Sequence, residues 1–193
     1  MPDKPLKKKF IDELVSLFKK KFKTVIILIV ILIGFFVSFL FHKNTQSKNN
    51  LKIAQEYTHA TILIKQKKIK ESELLLKSII DKDHKFYSPL ALYLMIDNKV
   101  ESDDKKIIIY FDNILKNKKI EKENLNLIKI KKAIYLIKLD QQEAIIETLN
   151  AIINSESVWR SLAINLISEY FLSKNQKVKS EKYIQLLNNK IKK

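Results

Sequence analysis

The sequence predicts an all-α membrane protein, with one N-terminal transmembrane helix followed by a domain of about four stacked helix pairs. Three observations carry that prediction. Residues Thr24 to Phe41 read TVIILIVILIGFFVSFLF, eighteen positions without a charge in a chain that is 30% charged. The sole glycine, Gly34, lies inside that block, and the three prolines are Pro2, Pro5 and Pro89. From Leu51 onward the chain is rich in Lys, Glu, Leu and Ile, with apolar residues recurring at helical spacing.

The first element is a cytoplasmic amphipathic segment, residues 1–23. Leu6, Phe10, Ile11, Leu14, Val15, Leu17, Phe18 and Phe22 fall in one half of a helical wheel, and Lys8, Lys9, Asp12, Glu13, Ser16, Lys19 and Lys20 in the other. A short helix of this kind suits the inner leaflet of a bilayer, so membrane lipid is an expected contact; a docking helix for a cytoplasmic partner is the alternative.

The second element is the transmembrane helix, residues 24–41. At about 1.5 Å per residue it reaches roughly 27 Å, close to the ~30 Å hydrocarbon core. Eight lysines precede it (Lys4, Lys7, Lys8, Lys9, Lys19, Lys20, Lys21 and Lys23), against Lys43, Lys48 and Lys52 in a similar window after it. That bias keeps the N-terminus in the cytoplasm and sends the remainder across. A cleaved signal peptide is the competing reading, but Phe39-Leu40-Phe41-His42 offers no small-residue cleavage site, which favours an uncleaved signal anchor. Gly34 and Ser38 have a small-xxx-small spacing that allows close helix contact, although lipid exposure explains them as well.

Residues 42–50, HKNTQSKNN, form a polar linker without apolar period, and the helical pattern starts at Leu51. The domain over 51–193 divides into helices at about 51–66 and 69–82, 86–98 and 103–117, 123–138 and 141–154, and 157–174 and 177–190. Pro89 falls in a first turn, where its missing N–H is harmless. Ser102, Asp103 and Asp104 supply a cap and first-turn carboxylates; Asp140 and Ser157 are candidate caps; Asn175-Gln176 is a turn. The second helices begin near 69, 103, 141 and 177. Two helices at this period are the sign of a tetratricopeptide-like α-solenoid. Small residues at Ser72 with Ala60, at Ala144 and Ala151, and at Ser180 with Ser168 let paired helices approach. The repeat's usual glycine and proline are missing, and the second unit matches poorly.

Composition narrows the function. About 150 residues follow the span, enough for one real core. No cysteine is present, so disulfides and thiolate chemistry are excluded, and the single glycine excludes a glycine-rich phosphate loop. Net charge is +16, and the part after residue 41 carries +11, from 29 basic against 18 acidic residues. Arg160 is the only arginine. Without arginine's bidentate fork, and with the domain across the membrane, nucleic acid is not an expected partner.

No catalytic, cofactor or metal arrangement stands out. His42, His59 and His84 lack partners at ligand spacing, Asp103-Asp104 and Glu121/Glu123 flank helix starts, and Lys116, Lys118, Lys119, Lys129, Lys131 and Lys132 read as solvated faces. Candidate protein-interaction residues are Trp159, Arg160, Tyr57 and Tyr87. Trp159 beside Arg160 fits an interaction hot spot, or else Trp159 packs on the preceding repeat while Arg160 bonds a carboxylate or helix end. Tyr57, Tyr87, Tyr93, Tyr110, Tyr135, Tyr170 and Tyr183 read as core and groove lining.

The layout resembles the YfgM-type proteins of Gram-negative bacteria: a lysine-bearing N-terminal helix, one span and a small tetratricopeptide-like domain. Tyr87-Ser88-Pro89-Leu90-Ala91 is similar to the family's Tyr-x-x-Leu-Ala opening of the second pair. Ser157-Val158-Trp159-Arg160 with Ser161-Leu162-Ala163 is similar to its Trp-Arg opening of the last pair, although a Gly-Asp turn there is replaced here by Asn175-Gln176. The resemblance implies a periplasmic domain held in the inner membrane, ancillary to the Sec translocon, with translocon subunits and a periplasmic chaperone as partners. An organiser of cell-envelope assembly or division is the alternative, and an enzyme is not expected.

Overall fold

The computed structural model describes residues 22–187, together with Asp12, Val15 and Ser16. The rest of the amphipathic face over 1–23 lies outside the described residues, as do Lys190, Lys192 and Lys193. The chain divides into two compact units, Met1–Lys52 and Ile53–Lys193. Among the described residues there are eight helices and no strand.

The first unit holds most of α1, Phe22–Lys65, a helix of 44 residues. Its stretch from Ile26 is long and apolar enough to cross a membrane, and none of its apolar window is buried by the chain. A Cβ added at Gly34 would meet nothing within 4 Å, so no contact inside the chain requires that glycine. The helix does not restart at Leu51: it runs without a break through 42–50. That segment contains neither glycine nor proline, and a helix already nucleated gains one bond per added residue. Thr45 Oγ1 donates to the Phe41 carbonyl at 3.0 Å, and Gln46 Nε2 lies 3.2 Å from His42 Nε2, one turn apart.

The second unit contains the end of α1 and seven further helices: α2 (Ile69–Asp81), α3 (Tyr87–Asp97), α4 (Asp104–Leu115), α5 (Lys122–Lys138), α6 (Gln142–Ile153), α7 (Arg160–Ser173) and α8 (Lys177–Gln185). From α2 onward each helix packs on the next, within pairs and between them, and α5 also touches α7. Asp103 caps α4, its carboxylate accepting from Lys105 N at 2.9 Å and Lys106 N at 3.4 Å.

One turn recurs four times. The helices α1, α3, α5 and α7 each end with a residue in the left-handed region: Lys67 (φ 60°), Lys99 (51°), Asp140 (56°) and Asn175 (58°). The next N–H then reaches back to a carbonyl inside the helix: Lys68 to Leu63, Val100 to Met95, Gln141 to Leu136 and Gln176 to Phe171, at 2.9–3.1 Å. This is the Schellman arrangement, usually built on glycine. Each accepting residue is buried, so the turn also fastens an apolar side chain into the core. Asp140 is therefore the end of α5 and not the side-chain cap of α6. Lysine pays the left-handed penalty of about 1 kcal/mol that glycine avoids. Lys67→Gly and Lys99→Gly should each raise stability by about 1 kcal/mol, roughly 3 °C in Tm, and their effects should add, which thermal unfolding followed by circular dichroism checks.

Close helix approach is made by small buried residues. Ser72 Oγ donates to the Ala60 carbonyl at 3.2 Å across α1 and α2. Ser168 and Ser180 hydroxyls meet at 2.7 Å across α7 and α8. In the third pair the small residue is Ala133, fully buried, with Ile145. The expected Ala144 is only half-buried and Ala151 is exposed, one helical phase away from the contact. The core forms two clusters, one built on Leu76, Leu92, Met95 and Phe111, the other on Leu136, Ile145, Leu149 and Phe171. Helix α5 serves both, through Ile128 and Tyr135 for the first and Ile130, Ala133 and Leu136 for the second.

Candidate functional site

The four soluble residues singled out from sequence fall into two separate places. Tyr57 on α1 and Tyr87 on α3 come together, with ring centroids 5.9 Å apart. Both are half-buried and pack on the first core cluster. Phe86 and His84 complete the aromatic group, each 5.2 Å from the Tyr87 ring, and Phe86 is exposed. Burial, then the Asp97 charge, raises the Tyr57 phenol above its usual value.

His84 acts here as a helix-start acceptor. Its Nδ1 receives Phe86 N at 3.2 Å and Tyr87 N at 3.1 Å, and Ser88 Oγ accepts from His84 N while donating to the Ile79 carbonyl. Those bonds need the neutral ring. Burial, with the charges of Lys85 and Lys119, lowers the His84 pKa from its ordinary 6.5. A group lowered in the fold contributes fully above its unfolded value and loses that contribution as pH falls. Stability should therefore drop below about pH 6.5, and His84→Asn, which keeps a side-chain acceptor, should flatten that part of the profile. Unfolding midpoints from pH 5 to 8 check this.

Trp159 and Arg160 sit at the start of α7, against the second cluster. Trp159 Nε1 donates to the Glu123 carbonyl at 3.0 Å. Arg160 donates from Nε to the Ile153 carbonyl at 2.9 Å and from a terminal nitrogen to the Leu186 carbonyl at 2.8 Å, so it ties the ends of α6 and α8 together. Glu123 is more than a first-turn carboxylate: its Oε2 accepts from Ser157 Oγ at 2.7 Å and Val158 N at 3.1 Å, clamping the third pair to the fourth. Ser157 Oγ in turn accepts from Trp159 N at 3.1 Å. Asn117 does comparable work earlier in the chain, donating to the Asp83 carbonyl at 2.9 Å.

A third place gathers Tyr93 and Tyr135, two of the tyrosines read as core and groove lining, with Lys131, read as part of a solvated face. A groove of about 240 Å³ lies between α3 and α5, lined by Tyr93, Ile96, Asp97, Lys131, Ile134, Tyr135 and Lys138. Lys131 Nζ stands 5.8 Å over the Tyr93 ring and Lys138 Nζ 5.7 Å over the Tyr135 ring. Burial pushes the Tyr93 phenol up to about 12. The Tyr135 hydroxyl donates to Asp104 Oδ1 at 2.5 Å, and Tyr170 repeats the arrangement on Asp140 at 3.0 Å. The legible signal was the spacing of Lys131, Ile134 and Lys138, an exposed apolar residue between two charges on one helical stripe. Lys132, read with the solvated faces, is instead largely buried and paired with Asp112 at 2.6 Å.

Thr24, Gly34, Ser38 and Phe41 are exposed along α1. His42 and His59 are exposed on α1, well separated in sequence from His84. Among the described residues no three His, Cys, Asp or Glu side chains are grouped to hold a metal ion. No protein-family model, curated protein or solved structure matches the chain.

Proposed function

We propose that the chain is a single-span, membrane-anchored scaffold that binds other proteins through a tetratricopeptide-like stack of helix pairs, without chemistry of its own. The observation that carries this reading is the recurrence of one turn at the end of every first helix, in a chain whose N-terminal helix is long and apolar enough to cross a membrane. Repeated pairs that bury a continuous core leave a row of first helices free as a binding surface. The lysine bias before the span supports a cytoplasmic N-terminus and a periplasmic domain at the inner membrane. The YfgM-type resemblance at Tyr87–Ala91 and Ser157–Ala163 supports Sec translocon subunits and a periplasmic chaperone as the partners.

Two experiments test the reading. A reporter active only in the cytoplasm, fused after Lys193, should be silent, and activity there overturns the orientation. Purification in mild detergent after crosslinking should recover translocon subunits or a chaperone; recovery of neither removes the translocon assignment.

A further inference from the structure

The groove between α3 and α5 carries a defined chemistry that the packing does not use. The five ion pairs among the described residues all lie elsewhere, so Lys131 and Lys138 have no carboxylate partner. Each ammonium is held over a tyrosine face, which fixes its position without neutralising it. The two lysines are seven residues apart on α5, about 10 Å along the axis. Ile134 stands between them, 48% exposed, with Ile96 on the facing wall. The Tyr93 hydroxyl, kept protonated by burial, has no hydrogen-bond partner among the described residues and is available as a donor. Asp97 is the one acid in the lining, and it sits on the α3 wall.

Resting on the scaffold reading, we propose that this groove binds a short extended peptide segment with two carboxylates four residues apart and an aliphatic side chain midway between them, all three on one face of the segment. Alternate residues of an extended chain share a face and four residues span about 13 Å, which the flexible glutamate and lysine side chains bring to the roughly 10 Å separation of the two lysines along α5. The carboxylates then lie along the α5 wall against Lys131 and Lys138. The aliphatic side chain sits against Ile134 and Ile96, and Asp97 on the opposite wall accepts from the peptide backbone. A basic peptide would leave both lysines facing like charge, so sign is the first element of selectivity. Lipid headgroups could meet the same lysines, but the isoleucine between them favours a side chain of protein.

The test uses the full chain in phosphatidylcholine nanodiscs and a fluorescein-labelled peptide, Gly-Ser-Glu-Ser-Leu-Ser-Glu-Ser-Gly, followed by anisotropy. Saturable binding is expected, weakened roughly tenfold by Lys131→Gln with Lys138→Gln and likewise by exchanging leucine for serine in the peptide. Both lysines are exposed, so the double variant should keep its helical circular dichroism. Absence of saturable binding, equal binding by the double variant, or equal binding of a peptide with lysine in place of glutamate overturns the proposal. In cells, a photoreactive side chain introduced at Ile134 should capture protein. Capture at Leu162 on α7, an exposed position on another first helix, but not at Ile134 sinks the groove and leaves the scaffold standing; capture at neither sinks both. Lipid adducts at Ile134 in place of protein overturn the peptide assignment.

Discussion

Replacing Ile31 and Phe35 by aspartate should release the chain from the membrane. Both side chains are exposed along α1, at 62% and 74%, so they make little contact whose loss would disturb the fold. What the substitutions change is the partition into hydrocarbon. A carboxylate near the middle of a span costs about 2.5–3.5 kcal/mol on insertion scales, so two add roughly 6 kcal/mol. The pair sits in the centre of the eighteen uncharged positions, too far from either flank for a short side chain to reach the interface. The wild-type chain should resist alkaline carbonate extraction, and the double variant should appear in the soluble fraction. Ile31→Leu with Phe35→Leu should behave as wild type. The second unit should keep its helical signal in both, because none of its core residues is touched. A double variant that stays membrane-embedded would overturn the reading of α1 as a span.

The helix order was legible because the punctuation is local. Asp103 caps α4 where the sequence pattern places a cap, and Asn175 makes the expected turn. Polarity misled at residues 42–50, since polar composition marks a solvated segment without marking the end of a helix. The left-handed lysines were illegible for a related reason. Lys67 and Lys99 occupy positions where glycine would have announced the turn, and the backbone bonds that hold them there come from the buried residues four positions earlier. Glu123 stands in a first turn as its sequence position suggests, but its second role was illegible, because its partners lie in the next pair, 34 to 36 residues on. The groove needed the pairing of α3 with α5, which no periodicity within a single helix reveals.

Phe171→Ala should cost about 3–5 kcal/mol, and the loss should be felt at one end of the helical unit. The ring is 1% exposed. It stacks on Tyr183 of α8 at 5.6 Å and 12°, lies under Lys179 Nζ at 5.3 Å, and packs beside Tyr170 at 5.5 Å. Its carbonyl also receives Gln176 N in the turn that leads into α8. Helix α8 has nine residues and buries one of them, Ser180, so it is too short to persist without that contact. The variant should therefore lose amide-exchange protection in α7 and α8 first, while Leu76, Ile79, Leu92 and Met95 in the first cluster keep theirs. Phe111→Ala removes a comparable ring from the first cluster, and its loss should fall on α2 to α4. Phe171→Leu, which retains most of the volume, should cost less than about 1.5 kcal/mol. The contrast between the two alanine variants measures how far α5, shared by both clusters, couples them. Equal loss of protection across α2 to α8 in both would mean the two clusters unfold as one unit, and opposite patterns would mean each end holds itself together through its neighbours.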